Sequence, residues 1–267
     1  MNTTTLSRDS FVLGGDLPVN RIGFGAMRLT GQPGNFGPYP DWQAGLDLLR
    51  RAAEGGVTFF DTARAYGPEW NERLVGQAVA GLPGVVIATK GGIDKRSPTE
   101  LVRDASPATL TRQIDAALVN LGVERIDLFQ LHWLDPRTPV EDSVGAIAAA
   151  QAAGKVRHIG LSNVTVEDLR RAQSVARIAS VQNRYNVLER QDDALIDLTA
   201  REGIAFIPYG PLGAHPMRPG APLAQGAKAE GRTPAQQALR ALLDRSPNII
   251  VIPGTTSAQH LEENLRA

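Results

Sequence analysis

The chain has 267 residues, with 28 lysines and arginines against 28 aspartates and glutamates, four histidines and no cysteine. That balance gives no electrostatic reason to expect nucleic acid or an anionic membrane as partner, and the missing cysteine excludes disulfides, thiolate nucleophiles and cysteine zinc sites. The length suits one α/β domain over residues 1–267, and MNTTTLSRDS lacks the apolar core of a signal peptide, so a cytoplasmic protein is expected.

Along the chain, FVLGGDLPVNR predicts a β-hairpin turning at Gly14 and Gly15, followed by a first core strand over 21–25. Helix and strand then alternate. A helix is predicted over 41–54 and a strand over 57–61; then helix 69–80, strand 85–90, helix 107–121 and strand 126–132. Next come helix 140–153, strand 156–162, helix 166–176 and a short strand over 181–183. Helix 192–202, strand 205–209, helix 234–245, strand 249–252 and a last helix from Ala258 complete the series. The helices rest on apolar spacing near 3.6 residues, as in Leu110, Ile114, Ala117, Leu118 and Leu121. The strands are nearly continuous in apolar residues, as strands covered on both faces should be.

Eight strands and eight helices in alternation point to a (β/α)₈ TIM barrel with an N-terminal β-hairpin. A doubly wound open sheet would need a glycine-rich phosphate loop after its first strand, and RIGFGAMRLTG contains no G-x-G-x-x-G leading into a helix. The Gly-, Ala- and Pro-rich stretch 213–231 reads as a surface loop or as a lid over a ligand.

Asp61, Tyr66, Lys90 and His132 each lie at or just past the end of an apolar run: VTFFDTARAYG, GVVIATK and IDLFQLH. In a parallel barrel such positions converge on one face. An ammonium about 4 Å from a phenol favours the phenolate by about 4 kcal/mol at an effective dielectric near 20. That would lower a tyrosine's pKa by up to roughly three units. Tyr66 is then a usable proton donor, Asp61 holds Lys90 charged, and His132 orients the oxygen being protonated. These strand ends carry no metal cluster, no Ser–His pair and no glycosidase carboxylates. A cofactor must therefore supply the electron pair, and a nicotinamide hydride suits a carbonyl.

The segments FDTARAYG, VIATKGG, DLFQLHWLD, VRHIGLSNV, VQNRYNV, IPYGPLG and IPGTTSAQHLEEN resemble those of the aldo-keto reductases in order and spacing, over nearly the whole chain. The likeness is closest to the bacterial pyridoxal reductase group, through GFGAMRLTG, HIGLSNVT and RSPNIIVIPGT. The resemblance implies NADPH-dependent reduction of an aldehyde or ketone, with Tyr66 as general acid, Lys90 and Asp61 tuning it and His132 orienting the carbonyl. It implies that Ser162, Asn163 and Gln182 hydrogen-bond the nicotinamide carboxamide, with Met27 and Asp61 beside it and Tyr209 stacked on the ring. Gly210, Pro211, Leu212 and Gly213 would follow the pyrophosphate. Pro253, Gly254, Thr255, Thr256, His260, Glu263 and Asn264 would meet the adenosine end. Met27, Tyr66, His132 and Trp133 would form the substrate pocket, with Tyr39, Phe36 and Trp70 either lining it or packing.

Gly254 and His260 stand where many family members carry the Lys and Arg that bind the adenosine 2′-phosphate. NADH is therefore left open beside NADPH, and Arg218 or Lys228 could compensate from the long loop. The chain ends at Ala267, where the family usually continues with a segment closing part of the pocket; an open pocket or a shortened chain are the two readings. A monomer acting on a small-molecule carbonyl is expected. The alternatives are a nicotinamide-binding redox-sensing or regulatory subunit, and a reductase for a keto-sugar or natural-product intermediate.

Overall fold

The computed structural model describes residues 9–212 and 231–267. The predicted hairpin is present: β1 (Ser10–Leu13) and β2 (Leu17–Asn20) pair antiparallel around Gly14 and Gly15, both at positive φ. The barrel wall begins with β3 (Phe24–Gly25), β4 (Phe59–Asp61) and β5 (Val86–Gly91). A second hairpin, β6 (Ile93–Lys95) with β7 (Leu101–Arg103), rises from the end of β5. The wall continues with β8 (Ile126–Leu131), β9 (Val156–Ser162), β10 (Ile178–Gln182) and β11 (Ala205–Phe206). Seven strands thus run parallel in the order β3-β4-β5-β8-β9-β10-β11. Residues 249–252 fill the eighth place through two parallel bridges, Ile22 to Val251 and Phe206 to Ile249, which close the barrel.

Among the described residues, eight α-helices surround this wall: α1 (Trp42–Glu54), α2 (Trp70–Val79), α3 (Pro107–Leu121), α4 (Val140–Ala152), α5 (Val166–Gln173), α6 (Asp193–Arg201), α7 (Pro234–Arg245) and α8 (Ala258–Leu265). Their starts are written locally. Ser106 caps α3 ahead of Pro107, while Thr165 and Thr233 form capping boxes with Asp168 and Gln236. No helix among the described residues is long and apolar enough to cross a membrane.

Side-chain alternation along each strand splits the core in two. Outward residues such as Phe60, Ile87 and Phe129 pack with Leu49, Leu74, Ile114 and Ile147 of the helices. Inward residues Phe59, Val86, Ala88, Leu128, Ala205 and Ile250 fill the lower barrel, plugged from below by Leu13, Leu17 and Val19 of the hairpin.

Three features differ from the sequence-based expectation. The strand predicted over 181–183 begins earlier, at Ile178, with an irregular register before Ser180. Regular pairing in 21–25, 205–209 and 249–252 is cut to short stretches and bridges where the barrel closes. The β6–β7 hairpin was not predicted: Leu101 and Arg103 of β7 are exposed and β6 buries Ile93 alone, too little alternation for a pattern to reveal. The expected loop or lid over 213–231 lies, except for Gly231, outside the described residues, as do Gly213, Arg218 and Lys228.

Candidate active site

The alternation that makes the lower barrel apolar makes its upper layer polar. Phe59 is followed on the inner face by Asp61, Val86 and Ala88 by Lys90, and Leu128 by Gln130 and then His132. Lys90 is fully buried. Its Nζ donates to Asp61 Oδ2 at 2.6 Å, to the Thr62 carbonyl at 2.9 Å and to the Tyr66 hydroxyl at 3.4 Å. Asp61 Oδ1 accepts from Gln182 Nε2 at 2.9 Å and Gln130 Nε2 at 3.3 Å. Gly160 leaves room for this layer, since a Cβ there would stand 2.2 Å from Ser180 Oγ and 2.8 Å from Gln130 Cγ. The Tyr66 and His132 rings meet edge-on, with centroids 5.9 Å apart.

Electrostatics correct one expectation. Burial is the largest influence on Tyr66 and, with Asp61, outweighs the lowering by Lys90, so the phenol lies above its ordinary value, not below it. Spacing alone could supply the ammonium but not the desolvation. Burial opposes the charge on Lys90, yet the charges and hydrogen bonds of Asp61 and Tyr66 raise its pKa above the ordinary lysine value. Burial first, and then the Lys90 charge, hold His132 well below 6.5, so the ring is neutral. Its Nδ1 is sealed from solvent without a hydrogen-bond partner among the described residues. A charged lysine, a protonated phenol and a neutral imidazole therefore share one pocket, which can deliver a proton to an oxygen.

The residues expected around a nicotinamide form the adjoining rim. Ser162 and Gln182 are register partners at the ends of β9 and β10. Ser162 Oγ accepts from Asn163 Nδ2 at 3.0 Å, and Gln182 uses its Nε2 on Asp61. The Ser162 hydroxyl proton and Gln182 Oε1 have no hydrogen bond among the described residues. One donor beside one acceptor matches the face of a primary carboxamide, and the residues fit the group. Asn163, in the left-handed region at φ 59°, is committed to bracing: Nδ2 donates to the His132 carbonyl at 3.0 Å, and Oδ1 accepts from the Tyr209 hydroxyl at 2.8 Å. Tyr209 is thereby held over the Ser162–Asn163 turn.

The remaining expected positions lie further along the same rim. Gly210 has positive φ and its carbonyl accepts from Asn186 Nδ2, Pro211 is buried, and Leu212 packs on the outer core. Pro253, Thr255 and Asn264 are buried, Glu263 is half-buried, and Gly254, Thr256 and His260 are exposed. Ser257 caps α8. A Cβ at Gly254 would stand 2.6 Å from the Gly25 carbonyl, so the backbone leaves no room there for the lysine found in many relatives.

Met27 is exposed on a 3-10 turn, Ala26–Arg28, and Trp133 is half-buried beside His132. Phe36 is half-buried in the 31–38 loop. Trp70 instead packs edge-on against Trp42 at 6.1 Å, and Tyr39 packs on the outer core. Sequence reasoning missed Gln130 and Asn71. Asn71, fully buried, accepts from Thr62 Oγ1 at 2.7 Å and donates to the Ala26 and Leu29 carbonyls at 2.9 and 2.8 Å. Its one signal is a polar residue three and four positions before Leu74 and Val75 on the apolar stripe of α2.

A model of the aldo/keto reductase family matches residues 21–267. The chain is 41% identical over 254 residues to an uncharacterized oxidoreductase of Schizosaccharomyces pombe, covering 95% of this chain and 83% of that protein. It is 40% identical over 269 residues to pyridoxine 4-dehydrogenase of Escherichia coli, covering 98% and 93%. Its fold superposes with TM-score 0.81 on an aldo/keto reductase from Klebsiella pneumoniae crystallised with NADP and acetate, at 26% identity over 97% of this chain and 89% of that one. A closed barrel with its polar layer at the carboxyl ends of the strands, matched by the family model from the first barrel strand to the last residue, means that this chain belongs to the aldo/keto reductase family.

Proposed function

We propose that this protein reduces an aldehyde or ketone to the alcohol using NADPH, with Tyr66 as the general acid. The observation that carries this reading is Lys90 Nζ, fully buried, bonded at once to Asp61 and to the Tyr66 hydroxyl. When bound, the reduced nicotinamide supplies a hydride to the carbonyl carbon. The chain's own residues do the rest. Asp61, fixed by Gln182 and Gln130, keeps Lys90 protonated, and Lys90 stabilises negative charge developing on the Tyr66 oxygen as it gives up its proton. The Lys90 influence is weaker than burial in the resting site, so Tyr66 stays protonated and loaded until the substrate oxygen gains charge. His132, neutral, hydrogen-bonds that oxygen and fixes its direction. Ser162 and Gln182 hold the carboxamide, Tyr209 covers the ring, and the exposed Thr256 and His260 at the start of α8 meet the adenosine end. NADPH over NADH is supported by the NADP-bound neighbour, and pyridoxal is the first substrate to assay, given the pyridoxine 4-dehydrogenase likeness.

Removing the acid tests the mechanism. Tyr66→Phe should lower kcat by about 10²–10⁴ while NADPH still binds, followed by quenching of protein fluorescence. Reduction at near wild-type rate would exclude Tyr66 as the acid.

A further inference from the structure

Arg103 closes β7, the outer strand of the hairpin that grows from the end of β5. Its guanidinium carbon lies 4.1 Å from the centroid of the Trp133 ring. Trp133 directly follows His132, and the Asp104 amide donates to the Gly92 carbonyl at 3.1 Å, two residues beyond Lys90. The arginine therefore sits on the rim of the catalytic layer. Its backbone is braced as well. The Arg103 carbonyl accepts from Arg137 Nη2 at 2.6 Å, and buried Asp135 clamps Arg137 through Nε at 3.0 Å and Nη2 at 2.9 Å.

The other cations of this hairpin are occupied. Arg96 pairs with Glu100 at 3.5 Å, and Lys95 donates to the Gly34 carbonyl. Asp94 pairs with Arg112 of α3 at 3.5 Å. Arg103 has no carboxylate within ion-pair reach among the described residues and is exposed. A guanidinium stacked on an indole keeps its N–H edges outward, in the fork that binds carboxylate or phosphate bidentately. The chain carries no net charge that could draw in anions from a distance, so any preference for an anionic substrate has to be local.

We propose that Arg103, laid on Trp133, recognises an anionic group, carboxylate or phosphate, carried by the carbonyl substrate away from its reacting end. The proposal rests on the carbonyl-reductase reading and on Trp133 as a pocket wall; it adds the substrate's charge and the residue that reads it.

The test uses matched substrates with NADPH: 4-formylbenzoate against its methyl ester, and pyridoxal phosphate against pyridoxal. In wild type the anionic member of at least one pair should have the higher kcat/KM. In Arg103→Gln the anionic-to-neutral ratio should fall about tenfold, through KM, with Arg103→Lys between the two. Added salt should shrink the wild-type ratio and leave that of the glutamine variant flat. The pair that responds tells carboxylate from phosphate. An unchanged ratio in both pairs, or an equal loss on charged and neutral members, would overturn the proposal and make Arg103 a packing residue of Trp133. Tryptophan fluorescence titrated with 4-formylbenzoate gives a readout without turnover. If wild type reduces no carbonyl yet binds this anion, and Arg103→Gln does not, the anion site stands and the reductase reading falls. If neither protein binds or reduces it or pyridoxal phosphate, the anion site falls.

Discussion

His132 enters the tetrad as a neutral ring, held far below the ordinary imidazole value by burial and then by Lys90. That depression makes stability depend on pH in a definite direction. Between 6.5 and the depressed value in the folded state, the unfolded chain binds a proton that the folded chain refuses. Stability therefore falls as pH drops below about 6.5, by up to about 1.36 kcal/mol per pH unit from this one group. Urea unfolding of wild type and His132→Gln across about pH 5 to 7 should show the steeper loss in wild type. Parallel pH slopes would mean the imidazole titrates normally in the folded protein. The four residues of the proposed tetrad could be picked out in the sequence because each lies at or just past the end of an apolar run, where a barrel strand meets its carboxyl face. The direction of the Tyr66 shift was not, because desolvation is set by residues that only the fold brings around it. Gln130 was hidden for a similar reason: inside LFQLH it reads as an interruption of a strand, and its bond to Asp61 spans 69 positions.

Helices and turns transmit position to those residues, and α2 carries the clearest case. Asn71 joins the Thr62 side chain, whose residue lends its carbonyl to Lys90, to both ends of the turn that presents Met27. Asn71→Ala leaves a buried hydroxyl and two buried carbonyls short of a partner, and should cost roughly 2–4 kcal/mol. Because the turn and the lysine seat both loosen, kcat should fall and KM for NADPH should rise, while Asn71→Asp restores only the Thr62 contact. Guanidinium unfolding together with steady-state kinetics checks this; a loss of stability with intact kinetics would limit Asn71 to a structural role. At this scale the long amphipathic helices were readable from their spacing and caps. The β6–β7 hairpin was not, because its two three-residue strands bury Ile93 but leave Leu101 and Arg103 exposed, and so short a pattern declares itself only through pairing.

The whole barrel depends on a seam between its first strand and residues 249–252, where regular pairing is thinnest. Arg21 holds that seam. It is 5% exposed, and its side chain donates to the Ile249 carbonyl at 2.9 Å and to the Leu243 and Ser246 carbonyls at 2.6 and 2.5 Å. Leu243 lies in the last turn of α7 and Ser246 just beyond it, so the cation also meets the negative end of the helix dipole. Its own carbonyl accepts from the Val251 amide at 2.9 Å, tying backbone as well as side chain across the gap. Arg21→Met keeps much of the apolar stem and removes a donor from three buried carbonyls, of which Ser246 keeps the Ile249 amide at 3.3 Å, at a cost of about 3–5 kcal/mol in total. The two edges of the seam continue upward into the Met27 turn and Gly254, where the backbones approach so closely that no Cβ fits. Spreading the seam should therefore weaken NADPH binding more than it slows the proton transfer proposed for Tyr66, whose partners stand on β4, β5 and β8. Isothermal titration with NADPH and single-turnover reduction at saturating cofactor separate the two. An Arg21→Met protein that binds NADPH as tightly as wild type would show that α7 and residues 249–252 stay closed without the arginine.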